Sequence, residues 1–263
     1  KKMIDLGIEG GTHVSLLTAG NSMLMHLSQD ETRELTQVMV DQVQGRTLTV
    51  AATPFCSARD AVELAEFAVS IGVDMIMPTP FVYNDPNAVA EGLIDFYRRV
   101  SDVMPTMIVG APPVNVLEQL SECPNVVAFK EDGSEIYAME AAARFSDRYI
   151  MLTGGQYSRH LSQRPFGVGA YFCSFLCFRP DISRQFETAL QTDDMDHVIR
   201  TIRDKDMALF QLATGYPGGF QAVWRAILKL HGVAEDGLRS PLHALEAKEI
   251  SRLEKELKSL GLL

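Results

Sequence analysis

Along most of this 263-residue chain, strand-length apolar runs alternate with amphipathic helical segments. That alternation restricts the fold more than any other feature. A strand, a helix and a second strand in succession fold by a right-handed crossover that leaves the two strands parallel. The strand-like runs are 14–18, 48–52, 75–79, 107–111, 126–130, 150–153 and 170–174. Between them, Ser28-Gln29-Asp30-Glu31 has the pattern of a capping box and starts a helix reaching about Val43. Segment 59–71 places Ala61, Leu64, Ala65 and Ala68 on one face, and 89–103, 116–121 and 135–145 repeat the scheme. Seven strands are one short of the eight that close a (β/α)8 barrel, and the chain opens on a helix-like segment, 1–8. Two arrangements satisfy this count: a barrel whose first strand lies upstream of residue 1, or an open parallel sheet. Beyond 174 the pattern is all helical, over 181–190, 195–212, 220–231 and 247–260. Gly218-Gly219 punctuates one junction, and Asp236-Gly237 with Pro241 another.

The length fits a single α/β barrel, and 46% apolar with 22% charged residues supports a large core. A net charge of −10 argues against nucleic acid or an anionic membrane as the main partner. No apolar run is long enough to span a bilayer, and no apolar stretch follows Lys1-Lys2 as in a secretory signal. Cys56, Cys123, Cys173 and Cys177 are scattered, which predicts reduced thiols in a cytoplasmic protein. On a strand, Cys173 and Cys177 would face one side. No histidine or second cysteine pair stands near them, and the six histidines show no ligand spacing, so no metal is expected.

One segment carries chemistry. In Asn125-Val126-Val127-Ala128-Phe129-Lys130-Glu131-Asp132-Gly133 a buried-strand pattern runs directly into a lysine. Burial disfavours an ammonium, and a free amine attacks ketones. Taken alone, the segment fits equally a lysine that leaves the strand for solvent.

Five segments, in order and spanning nearly all of the chain, supply a context. Leu17-Thr18-Ala19-Gly20-Asn21-Ser22 followed by Leu27-Ser28-Gln29-Asp30-Glu31 is similar to a Gly-Thr-Thr-Gly-Glu loop preceding a Leu-Ser/Thr-x-x-Glu helix start. Pro80-Phe81-Val82-Tyr83-Asn84-Asp85-Pro86 is similar to Pro-Tyr-Tyr-Asn-x-Pro. Segment 127–133 resembles the surroundings of a Schiff-base lysine, 167–180 a last barrel strand, and Arg239-Ser240-Pro241-Leu242 an Arg-x-Pro-Leu motif. Together they resemble the dihydrodipicolinate synthase / N-acetylneuraminate lyase superfamily. Its members are class I aldolases and dehydratases on a (β/α)8 TIM barrel, commonly homotetramers. Phe129–Gly133, Leu152-Thr153-Gly154-Gly155, Gly167–Tyr171, Phe178-Arg179-Pro180 and Gly215-Tyr216 are most similar to its 5-dehydro-4-deoxyglucarate dehydratase branch. The resemblance selects the barrel, over 1–180 with its first strand upstream of residue 1, and a C-terminal helical extension over 181–263.

The resemblance also implies roles. Lys130 would condense with the ketone of a 2-keto acid, and the iminium nitrogen would stabilise an enamine, so no cofactor is called for. Thr18, Ala19 and Gly20 would cradle the substrate carboxylate, with Ala19 where relatives have a second threonine and Asn21 where many have glutamate. Gly154, with Gly155, would let substrate approach the backbone. Phe172 would line the pocket or pack in the core. Tyr83 would reach across a subunit interface or pack locally. Cys173 and Cys177 replace a serine and an asparagine. The largest departure lies in Met107–Val114, where relatives carry Tyr-Asn-x-Pro and the tyrosine shuttles protons. Anchoring on Pro105 and Pro112 puts that tyrosine at Val109; anchoring on Pro113 puts it at Gly110; neither is a phenol. The arginine that grips the synthases' second substrate falls at Val114 or Asn115, which weighs against dihydrodipicolinate synthesis itself.

Two functions follow from these residues. One is a Schiff-base lyase, aldolase or dehydratase, acting on a pyruvate-like or sugar-derived 2-keto acid as a homodimer or homotetramer. The other is a catalytically silent keto-acid-binding or regulatory member that has lost its proton relay.

Overall fold

The structure, a computed structural model, describes residues 1–82 and 89–263. It divides into two compact units: residues 13–155 with 159–172, and residues 1–12, 156–158 and 173–263.

The first of these units holds the sheet. Its strands are β1 (Val14–Leu16), β2 (Leu48–Cys56), β3 (Met75–Pro80), β4 (Thr106–Gly110), β5 (Val126–Glu131), β6 (Ile150–Thr153) and β7 (Ala170–Tyr171). All neighbours pair in parallel and in strict chain order, β1 to β7, which is the wiring of a (β/α) barrel. The connections are helical: α2 (Gln29–Val43), α3 (Ala58–Ser70), α4 (Ala90–Ser101), α5 (Val114–Leu120) and α6 (Glu135–Phe145). Several helices begin where the sequence supplies a cap. Ser28 accepts from the N–H of Glu31, and Glu31 accepts from that of Ser28. Ser57 and Ser134 accept from the N–H groups of Asp60 and Tyr137.

Strand alternation then assigns faces. Ile108, Phe129 and Met151 stand abreast on β4, β5 and β6 and belong to one buried core with Ala65, Ala68, Phe96, Leu117 and Ala141 of the surrounding helices. Full burial of a side chain such as Phe129 contributes about 1.5–3 kcal/mol. One residue further along, Val109, Lys130, Leu152 and Ala170 form the next row. Period-2 alternation turns that row to the opposite face. The row after it, Gly110, Glu131, Thr153 and Tyr171, returns to the helix side. An irregularity at Val127, where Thr106 pairs Val126 but Met107 pairs Ala128, lets Val126 join the helix-side core while Ala128 and Lys130 face away from it.

Some boundaries differ from expectation. β2 runs on to Cys56, because the pairing slips between Ala52 and Phe55 and so passes Pro54, which has no N–H to donate. The expected strand over 170–174 ends at Tyr171. Phe172 still donates to the Thr153 carbonyl (3.0 Å), and Phe175–Cys177 then forms a 3-10 turn, so Cys173 and Cys177 do not share a strand. A further helix, α7 (Tyr157–Gln163), has no counterpart in the expected pattern.

The other unit contains α1 (Lys2–Glu9), α8 (Pro180–Gln191), α9 (Met195–Thr201), α10 (Ala208–Thr214), α11 (Gly219–Leu230) and α12 (Ala247–Ser259). The single helix expected over 195–212 is interrupted by a π-helical turn, Ile202–Met207. Gly10 is crowded here: a Cβ would lie 2.7 Å from both Leu176 Cδ2 and Pro180 Cβ. Among the described residues, no helix is long and apolar enough to cross a membrane.

Candidate active site

Lys130 leaves the C-terminal end of β5 toward a cavity of about 340 Å³. Thr18, Ala19 and Gly20 line the same cavity, as do Phe55, Val109 and Asp132. The Lys130 side chain is only 13% exposed. Its Nζ pairs with both carboxylate oxygens of Asp132 and stands 5.1 Å from the centroid of the Phe172 ring. The solvent-seeking alternative for Lys130 is therefore not the conformation adopted.

The loop after β1 is held by local bonds to hydroxyls. Thr18 Oγ1 accepts from the N–H groups of Asn21 (3.1 Å) and Ser22 (3.4 Å), which leaves its own proton for another acceptor. The Thr18 N–H is already given to Ser22 Oγ (3.1 Å) and is not available to a ligand. Among the described residues, no acceptor takes the N–H of Ala19 or Gly20. The donors this loop presents are thus one hydroxyl and two amides. Such a set suits a carboxylate.

Val109 is the register partner of Lys130, whereas Gly110 is that of Glu131. Of the two positions that could correspond to the relatives' tyrosine, Val109 is the one on the lysine's face, and it offers only methyl groups. Gly110 has φ +100, a backbone conformation that favours glycine.

Gly154 approaches this cluster closely, but toward protein rather than open space. Its N–H donates to the Glu131 carbonyl (2.9 Å), and a Cβ would lie 1.8 Å from Asp132 Oδ1. Gly154 makes room for the aspartate. The Phe172 ring stands against the lysine but is not among the residues that line the cavity. Tyr83 lies outside the described residues. Cys173 bonds to Tyr157 Oη (2.9 Å) and Ser183 Oγ (3.2 Å), and burial pushes its thiol up from the ordinary value; burial likewise pushes Cys177 up to about 12.

Beneath the lysine lies an arrangement that residue-by-residue reading missed. Glu131 is fully buried, and its carboxylate receives Arg159 Nη2 (2.6 Å), Gln163 Nε2 (3.2 Å) and the Gly133 N–H. Arg159 also donates to the Gly133 carbonyl (3.1 Å) and pairs with Glu135 (3.5 Å). A charge buried after an apolar run was the available signal, since such a carboxylate needs a partner. The partner, 28 residues away on an unexpected helix, carried none.

Comparisons with known proteins bear on the family and the fold. The model of the dihydrodipicolinate synthetase family matches residues 1–260. The chain belongs to that family. The 4-hydroxy-tetrahydrodipicolinate synthase of Chlorobium phaeobacteroides (strain BS1) is 23% identical over 274 residues, which cover 100% of this chain and 90% of the relative. The probable 5-dehydro-4-deoxyglucarate dehydratase of Acinetobacter baumannii (strain AB0057) is 23% identical over 261 residues, 95% and 85% of the two chains. Among solved structures, N-acetylneuraminate lyase from Mycoplasma synoviae superposes with a TM-score of 0.85 at 17% identity, covering 100% of this chain and 90% of that one. At that identity the last comparison bears on fold alone. Named synthase and dehydratase, the curated relatives are enzymes, and this member of the dihydrodipicolinate synthetase family is an enzyme of the lyase kind.

Proposed function

We propose that this family member is a Schiff-base lyase acting on a pyruvate-like or sugar-derived 2-keto acid, with Lys130 as nucleophile and the Thr18–Gly20 loop as carboxylate cradle. One observation carries the reading: a largely enclosed lysine amine lines one cavity with a loop whose hydroxyl proton and two amides have no acceptor among the described residues. A 2-keto acid presents a carboxylate next to a ketone, and a site of this composition engages both. Lys130 Nζ would add to the ketone, water would leave, and the resulting iminium would draw electrons from the adjacent carbon. A bond two carbons from the nitrogen then breaks or forms. Aldol cleavage and dehydration share that enamine. Val109 would present an apolar wall beside the lysine.

A second reading, a silent keto-acid-binding member, draws support from Val109, which puts no proton donor abreast of Lys130. One experiment addresses both. Borohydride reduction in the presence of each of a panel of 2-keto acids should add the reduced ligand's mass at Lys130, and Lys130→Ala should abolish the gain. No adduct with any acid would sink the Schiff-base reading; adduct without turnover of any acid would favour the silent one. Assembly as a homodimer or homotetramer belongs to the same proposal, and a sedimentation mass equal to one chain contradicts it.

A further inference from the structure

Imine formation at a lysine is mostly proton traffic. The ammonium must lose a proton before it attacks, and the keto oxygen must gain two before it departs as water. A group that takes and holds a proton between these steps must be ionisable; the Thr18 and Thr79 hydroxyls that also line the cavity can only relay one. Among the described residues that line it, the ionisable side chains are Tyr97, Lys130 and Asp132. The Tyr97 hydroxyl is buried between the N–H and the carbonyl of Val109 (3.4 and 3.5 Å), and burial pushes it further from ionising. Val109 itself has no proton to give. Asp132 remains, and it is the group in contact with Nζ.

Three features hold it there. The Asp132 N–H donates to the Gly110 carbonyl (3.1 Å), which fixes the backbone at the edge of β4. Gly154 leaves the space its carboxylate occupies, since a Cβ would fall 1.8 Å from Oδ1. Gly133, the next residue, packs closely against Tyr137 and Glu131, because a Cβ there would lie 2.6 Å from Tyr137 Cδ1 and 3.1 Å from Glu131 Oε1. The Asp132 side chain is 34% exposed against 13% for Lys130, so the carboxylate keeps the exchange with solvent that the amine largely lacks.

We propose that Asp132 is the proton-transfer residue for Lys130, a proposal that rests on the Schiff-base reading above. The Lys130 ammonium passes one proton to the Asp132 carboxylate, and the neutral amine adds to the ketone carbon as the carbonyl π pair moves to oxygen. The Asp132 carboxyl protonates that oxygen and is a carboxylate again. It then takes the second proton from the nitrogen and delivers it to the hydroxyl, which leaves as water while the nitrogen lone pair forms the C=N bond. Ammonium and ketone become protonated imine and water, with charge conserved and Asp132 ending as it began.

The test is the rate of borohydride-trapped adduct formation with pyruvate, and with whichever acid of the panel traps best, in wild type, Asp132→Asn and Asp132→Ala. Far-ultraviolet circular dichroism of each variant establishes that it is folded. Asp132→Asn, which keeps the shape and removes the proton-accepting carboxylate, should slow adduct formation roughly 100-fold or more. Asp132→Ala should be slowed similarly, and added formate should raise its rate in proportion to concentration while leaving wild type unchanged. A purely structural aspartate would not respond to formate. An Asp132→Asn rate within a few-fold of wild type, or a slowed Asp132→Ala that formate does not accelerate, overturns the proposal. Wild type that forms no adduct with any acid fails at the earlier step and overturns the role of Lys130 itself.

Discussion

Gly154 lacks a side chain for a steric reason that becomes visible only beside Asp132. A methyl group there would collide with Oδ1 and approach the Glu131 carbonyl to 2.9 Å. The first contact can be relieved by rotating a side chain; the second is backbone and cannot. Gly154→Ala should therefore displace the Asp132 carboxylate from Lys130 and cost about 1–3 kcal/mol of stability through overpacking. Urea denaturation measures the stability, and pyruvate trapping should slow in the same variant; unchanged values of both would show that the carboxylate does not occupy this position. Lys130 was legible in sequence because an apolar run of strand length ends on it, and strand ends are where parallel α/β folds carry their chemistry. The contribution of Gly154 was legible only as permissiveness, because a glycine does not reveal which neighbour needs the space.

Within β5, alternate residues face opposite environments: Lys130 faces the cavity and Glu131 the buried helix side. The two consecutive charges thus do unlike things. Glu131 with Arg159, Gln163 and Gly133 clamps the backbone from which Lys130 projects. Removing one partner leaves a buried charge uncompensated, so Arg159→Met should cost about 3 kcal/mol. Glu131→Gln combined with Arg159→Met should cost less than the sum of the two single changes, as measured by urea midpoints; additive costs would contradict the coupling. Element order and most helix starts were readable from periodicity, and that of α2 from the Ser28 capping box as well. The ends of β2 and β7 were not, because the bulge past Pro54 and the turn after Phe172 are decided by pairing with neighbouring strands.

Asp206 bears on the stability of the whole molecule. It lies in the π-helical turn, 3% exposed, and accepts from the N–H of Tyr157 (2.8 Å). Burial pushes its carboxyl from the ordinary 3.8 up to about 6, against the opposing pull of the Tyr157 and Ser158 amides. Below about pH 4 the group is protonated folded and unfolded alike. Between about pH 4 and 6 the unfolded chain releases the proton while the folded chain keeps it, so stability is present at the acid end and is lost as pH rises through that window. The loss is on the order of 3 kcal/mol at most. Asp206→Asn should remove this dependence, and thermal melts from pH 4 to 7 check it: the variant should gain on wild type as pH rises, and parallel curves would contradict the assignment.

By itself the sequence determined the alternation of strands and helices, the all-helical C-terminal part, the family, and the lysine on which the proposed chemistry centres. These are written in local periodicity and short ordered motifs, which neighbouring residues encode without help from distant ones. Only the tertiary structure decided that Val109 rather than Gly110 stands beside Lys130, that Glu131 is locked by Arg159, and that Asp132 reaches the amine through space left by Gly154. The reason is physical: each of these depends on strand register or on steric room between segments 20 or more residues apart, and one step of register reverses which face a side chain takes.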